Sequence, residues 1–250
     1  MNRHFVKRFV KNVFRTMGFS LKRITGDEEL DAFEIQKYLT HRNPQVIFDV
    51  GAYDGKVTTQ YYELFPDAVI HAFEPFPDSY HQLMLTVGGH KKIHAHNYAI
   101  SNEDGPIRLY TNRLSATNSI LSTDAKGIQD WGQDKLGTIG EFHAEAITID
   151  TFCKKNTINQ IDILKLDIQG AEILALKGAK DLLSRQLISV LYFEMIISPT
   201  YQKQGKIHEC FQWLDSYGYE LFDIYTPVRR NNRLMQIDVI FTTRAIYDQN

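Results

Sequence analysis

Residues 165–172, Lys-Leu-Asp-Ile-Gln-Gly-Ala-Glu, set a lysine and two acids into and just past an apolar run, and Glu194 closes the next such run. Carboxylates at the ends of buried strands are placed to take a proton from an acceptor hydroxyl or to orient it. Lys165 and Asp167 are two apart, so on a strand they share one face. A lysine inside an apolar strand is costly to bury alone, which predicts an ion pair with Asp167, Glu172 or Glu194. Glu172 has a second reading as an acid in the first turn of a helix, where negative charge is favoured. Asp167, Glu194 and Lys165 are the candidate catalytic groups. No spacing specific to a metal site is present, so no metal is assigned. A divalent cation held by Asp167 and Glu194 is the alternative, because it would acidify a hydroxyl.

A second constellation is Phe-Asp-Val-Gly-Ala-Tyr-Asp-Gly at 48–55. Asp49 ends an apolar strand, and Gly51 and Gly55 frame the turn that follows, with Ala52 and Tyr53 between them. Glycine permits a sharp turn and close approach of a ligand to the backbone. The spacing is not G-x-G-x-x-G, and Tyr53 stands where the second glycine of that fingerprint would admit a pyrophosphate. S-adenosylmethionine has no pyrophosphate, and its ammonium would meet Asp49. Glu74 ends the next strand, where an acid can accept hydrogen bonds from both ribose hydroxyls. Asn97 is a candidate at the adenine edge and is equally an ordinary polar residue at a strand end.

Short apolar runs at 46–50, 69–73, 92–100, 161–167 and 187–195 alternate with helical stretches at 56–65, 78–86 and after Ala171. This rhythm predicts a mainly parallel sheet with helices on both faces. A helix over 203–217 and strands at 219–225 and 234–243, joined by a polar turn, predict a terminal antiparallel hairpin. Residues 111–140 read as a long surface loop with one short helix. That loop offers Arg113 and Trp131 to a polar acceptor, and an aromatic beside polar groups suits a saccharide. His71, His94 and His96 fall in strands and read as structural histidines.

The 250 residues suffice for one catalytic-sized domain, placed at 44–250, preceded by a helical extension at 1–43. A net charge of −2 argues against nucleic acid as the partner. Two cysteines, Cys153 and Cys210, allow one disulfide but no disulfide framework, and a reduced cytoplasmic setting is expected. Residues 1–23 carry seven Lys/Arg and no acid. Their spacing predicts a basic amphipathic helix, read either as packed on the domain with its charges in water or as a peripheral contact with a membrane surface or anionic partner. Oligomeric state is not legible.

Taken together, VIFDVGAYDG at 46–55, AFEP at 72–75, SNEDG at 101–105, ITIDTF at 147–152, LKLDIQGAE at 164–172 and YFE at 192–194 resemble the FkbM family of S-adenosylmethionine-dependent methyltransferases. The resemblance implies a Rossmann-like class I methyltransferase fold: a seven-stranded, mainly parallel α/β sheet with a C-terminal antiparallel hairpin. It implies methyl transfer to oxygen, with sugars and secondary-metabolite scaffolds as typical acceptors. It places Asp49, Gly51 and Gly55 at the methionine end of the donor and Glu74 at its ribose. Lys165, Asp167, Gly170 and Glu172 fall in the family's signature, facing the donor and acceptor, with Asp167 as a donor contact and Glu172 as an acceptor contact, and Ser119 falls in a serine-containing loop near the donor. Two other classes stay open at this point: a nicotinamide oxidoreductase, and a non-catalytic protein that kept the fold.

Overall fold

The computed structural model describes residues 31–41 and 43–249. The basic helix expected over 1–23 lies outside the described residues. Seven strands form the main sheet: β1 (Val46–Val50), β2 (Val69–Phe73), β3 (Ile93–His96), β7 (Ile161–Leu166), β8 (Ile188–Ile196), β9 (Tyr219–Arg230) and β10 (Arg233–Thr243). Their order is β3-β2-β1-β7-β8-β10-β9. Pairings among the first five are parallel, and β10 runs antiparallel to both neighbours. This is the class I arrangement, with one reversed strand inserted beside the last parallel one.

The central strands read as unbroken apolar runs because both of their faces are covered. Phe48 and Val50 enter one core with Leu164, Leu166, Leu191 and Phe193, under the helices Ile149–Lys155, Glu172–Lys177 and Ile207–Asp215. Ile47, one residue out of phase, enters the opposite core with Ile70, Ile163 and Val190, under the helices Lys56–Leu64 and Pro77–Val87. The helix Ala32–Leu39 buries Ala32 and Leu39 in that second core. This helix thus packs into the same compact unit as the sheet.

Three expectations are corrected. The apolar run at 92–100 is two strands, because the chain leaves the main sheet at Asn97–Tyr98. Its second half, β4 (Ala99–Ile100), pairs with β6 (Thr138–Ile147), which also pairs with β5 (Gly105–Asn112) in a separate three-stranded sheet. The region read as a long loop with one helix thus holds helices at Ala125–Trp131 and Gln133–Leu136 and the start of β6. The joining segment expected over 226–233 is mostly strand, and the turn shrinks to Asn231–Asn232, both at positive φ. Cys153 and Cys210 are both free and buried, and burial pushes each thiol up to about 12.

Candidate active site

β1 has β2 on one side and β7 on the other, so connections leaving its carboxyl end part to opposite faces. Ligand crevices form at such switch points. A cavity open to solvent lies there, lined by Gly51, Glu74 and Asp167 and by Phe73, Ile100 and Ile120. Gly51 sits at φ 77°, and a Cβ on it would lie 1.8 Å from the Asp167 carbonyl oxygen. The glycine is thus required by the neighbouring strand's turn as well as by the left-handed backbone. Gly55, at φ 84°, lies against Leu83 and Thr86 of the helix Pro77–Val87. It serves helix packing and is not on the cavity wall.

Glu74 is 4% exposed, and its two oxygens accept the backbone N–H of Tyr53 and of Phe76, each at 2.9 Å. Burial pushes this carboxyl up to about 7, against the pull of those two N–H groups. Each oxygen keeps a second lone pair for a ligand hydroxyl. Asn97 donates to the carbonyls of Glu74 and Pro75, at 2.8 and 3.1 Å. It braces the turn that carries Glu74, and Tyr98 takes the cavity-facing place beside Ala99. Tyr53, at φ 50°, spans the mouth, its hydroxyl 2.7 Å from Ser115 Oγ on the opposite lip. That lip is pinned to β5 by paired backbone bonds between Tyr110 and Ser119. Ser119 donates its Oγ–H to the Gln169 carbonyl at 2.9 Å.

Lys165 and Asp49 form a buried pair at 2.8 Å, with side chains 5% and 0% exposed. They are register neighbours on β7 and β1. Lys165 also donates to the Gly51 carbonyl at 2.9 Å, and Thr58 donates to Asp49 at 2.6 Å. Burial pulls the ammonium down, but the charges of Asp49 and Asp167 outweigh it and hold the lysine above its ordinary value. The partner expected for Lys165 was Asp167, Glu172 or Glu194; it is Asp49. Asp49 therefore lies beneath the cavity, and Ala52 is buried behind it with its N–H on the Phe73 carbonyl.

Glu172 is 3% exposed and accepts the N–H groups of Ile168 and Gly170 at 2.9 and 3.2 Å. Burial pushes it up to about 7. It closes the 168–170 turn, in keeping with the reading as a structural acid of the first helical turn. Asp167 is exposed on the cavity floor. Glu194 lies behind two carboxamides, accepting Gln169 Nε2 at 2.9 Å and Gln236 Nε2 at 2.7 Å. Burial first, then the charges of Asp167, Glu172 and Asp238, push its carboxyl well above the usual range. Among the described residues, no group of three or more His, Cys, Asp or Glu side chains is placed to hold a metal ion.

A second open cavity adjoins the first, with Gln169 lining both. Trp131, Lys135, Tyr201 and Gln236 line it, and Trp131 Nε1 donates to Thr200 Oγ1 at 3.2 Å. Arg113 is exposed and lines neither cavity. Gln169 was expected only as part of the turn with Gly170, and Tyr201 and Gln236 were not expected at the site. Gln169 alone carried a signal, its place inside the 165–172 stretch.

S-adenosylmethionine fits the first cavity by chemistry. An acid at the carboxyl end of β2 faces a pocket flanked by the apolar Phe73, Phe76, Ile100 and Ile120. Glu74 would hold the ribose, and the Gly51 turn would face the methionine end.

The profile of the methyltransferase FkbM domain matches residues 49–221, more than two thirds of the chain. The 2-O-methyltransferase NoeI of Sinorhizobium fredii (strain NBRC 101917 / NGR234) is 23% identical over 185 residues, covering 72% of this chain and 74% of that protein. Methyltransferase 1 of Beauveria bassiana (strain ARSEF 2860) is 25% identical over 145 residues, covering 54% and 58%. Among solved structures, magnesium protoporphyrin IX methyltransferase (ChlM) from Synechocystis PCC 6803, with bound SAM, aligns over 95% of this chain and 96% of its own at 11% identity and a TM-score of 0.46. With its signature stretch, its Glu74 turn and its glycine turn all inside the matched region, the chain belongs to the FkbM methyltransferase family.

Proposed function

We propose that the chain transfers a methyl group from S-adenosylmethionine to a hydroxyl oxygen of a saccharide-bearing acceptor. The observation that carries this reading is the sharing of one wall, Gln169, between a cavity lined by Glu74 and Asp167 and a second, aromatic and polar one. The name of the relative NoeI, a 2-O-methyltransferase, supports oxygen as the acceptor atom. Trp131 beside Thr117 and Gln236 offers a ring face and neutral hydrogen-bonding groups, as saccharide recognition requires.

When bound, S-adenosylmethionine supplies a methyl carbon on a sulfonium, which leaves as a neutral thioether. The protein's part is alignment and proton removal. Glu74 would hold the ribose, and the Gly51 turn would hold the methionine end. Asp167 accepts the hydroxyl proton as the acceptor oxygen bonds to the methyl carbon. Lys165 and Asp49 hold the carboxyl ends of β7 and β1 in register beneath it.

Calorimetry with S-adenosylhomocysteine and with NAD separates this reading from a nicotinamide oxidoreductase; binding of NAD alone would defeat it. Transfer of labelled methyl into a saccharide panel tests the acceptor. Asp167→Asn should lower turnover by about 10²-fold or more while leaving S-adenosylhomocysteine affinity near that of the parent. Normal turnover in that variant would take the base role away from Asp167.

A further inference from the structure

Gln169 uses its carbonyl and both polar groups of its side chain. Its carbonyl accepts from Ser119 Oγ at 2.9 Å. Its side-chain oxygen lies 3.0 Å from the Tyr201 hydroxyl, and its Nε2 donates to Asp167 Oδ1 at 3.1 Å and to Glu194 Oε2 at 2.9 Å. This orientation of the carboxamide sets its N–H groups against carboxyl oxygens of Asp167 and Glu194 and its oxygen against a hydroxyl. The backbone adds a second signal. Gln169 sits at φ 55°, a left-handed conformation that costs a non-glycine residue about 1 kcal/mol or more. The turn is clamped on both sides by the Glu172 carboxylate, through Ile168 N–H and Gly170 N–H. Strain held this firmly in a cavity wall points to a use for the side chain it displays.

We infer that Gln169 is a positioning residue for methyl transfer, whose carboxamide ties Asp167 to Glu194 and holds the Asp167 carboxylate toward the boundary between the two cavities. The inference rests on the reading of Asp167 as the base. Without the bridge, two carboxylates would face each other with nothing between them, and one would keep a proton. Their surroundings press the same way. Asp167 follows β7, Glu194 lies on β8, Asp238 lies opposite it on β10, and Glu172 opens the next helix. Tyr192 and Tyr201 add hydroxyls that are raised by burial and by these acids. Lys165 is the one cation among the groups that shift Glu194, and it is already paired with Asp49. The two carboxamide donors, Gln169 and Gln236, are what the structure sets against this repulsion. Gln169 alone also reaches Asp167, and it alone lines both cavities.

The test uses the full chain with carboxyl-labelled glutamate, following the Glu194 titration by carbon NMR. Gln169→Met keeps the bulk and removes both donors. Glu194 should then titrate about one pH unit higher or more, with S-adenosylhomocysteine affinity within about threefold of the parent. A residue that merely walls the cavities would leave the Glu194 titration where it is, and that result overturns the inference. Should Gln169→Met fail to fold, Tyr201→Phe removes the hydroxyl shared between the Thr117 carbonyl, at 2.8 Å, and the carboxamide oxygen, at 3.0 Å. A smaller upward shift supports the inference, and none overturns it. With a competent acceptor, Gln169→Met should lower kcat and leave the acceptor KM nearly unchanged; the reverse pattern contradicts a positioning role. Absence of S-adenosylhomocysteine binding by the parent chain would defeat the proposed function, whereas an unmoved Glu194 titration defeats only the assignment of Gln169.

Discussion

The carboxyl ends of β1, β7 and β8 bring together Asp49, Lys165, Asp167 and Glu194, with Glu172 in the turn that follows β7. At the far edge of the same sheet, β2 and β3 bring together His71, His94 and His96. Both regions crowd titratable groups, and in both burial is the leading cause of the shifts. The directions are opposite but alike in effect, because Glu172 and Glu194 in one region and His71 and His96 in the other are all pushed toward their neutral forms. What differs is the surroundings. The histidines are packed by aromatic rings: His96 stacks on Phe73 at 5.0 Å and meets Phe152 edge-on at 4.8 Å, and His71 Nδ1 lies 3.0 Å from His96 Nε2. Among the acids, Asp167 and Glu74 face a cavity, and carboxamides and backbone N–H groups converge on Glu194 and Glu172. Perturbed titration alone therefore does not mark a site; perturbation with convergent donors and open space does.

The sharpest way to break this contrast is through Lys165, which sequence alone placed among the catalytic groups. If it is structural, Lys165→Met should cost about 3–5 kcal/mol of stability by leaving Asp49 as an unpaired buried charge. Urea denaturation measures this, and adding Asp49→Asn should restore part of the loss. A stable Lys165→Met variant with abolished turnover would return the lysine to the chemistry.

Glu74 gives a smaller effect on the same side of the molecule. Glu74→Gln should weaken S-adenosylhomocysteine binding by about tenfold, or roughly 1.4 kcal/mol, through loss of charge-assisted hydrogen bonds to the ribose. In the parent, affinity should fall as pH drops through about 7, where the carboxylate takes up a proton. The variant should lose that dependence. Calorimetry from pH 6 to 8 would show it, and equal pH profiles would remove Glu74 from the ribose.

How far the sequence discloses these regions depends on how far apart the partners lie along the chain. The five parallel strands are legible because doubly covered strands are apolar throughout. β6 is not, because TIGEFHAEAI is exposed along most of its length and owes its place to pairing with β5. The glycine turn is legible as a turn, but the reason for Gly51 is the Asp167 carbonyl, which local spacing cannot reveal. The same holds for Lys165. Its cost of burial is evident from its neighbours, yet its partner sits on another strand, in register with it only after the sheet has formed. Gln236 carries no signal at all, since its use depends on β10 inserting antiparallel against β8.

The smallest expected effect lies at the histidine edge and tests the other half of the contrast. His71 and His96 are lowered from about 6.5 to about 4 by burial first and by neighbouring histidines second. A depressed base is held neutral by the fold, so its contribution is complete above pH 6.5 and is lost as pH falls toward 4. The buried carboxyls act oppositely: Glu74 and Glu172, raised to about 7, favour the folded state below pH 4.5 and lose that advantage as pH rises to 7. The parent's stability should therefore be flatter between pH 4.5 and 6.5 than either region alone would make it. His96→Phe keeps the stacking on Phe73 and removes one titration. It should leave methyl transfer unchanged and raise stability at pH 4.5 relative to pH 7 by roughly 1 kcal/mol, after discounting for its partial exposure. Thermal melts at the two pH values measure that difference. A loss of turnover in His96→Phe would mean that this edge serves the reaction after all, and the contrast between the two ends of the sheet would fail.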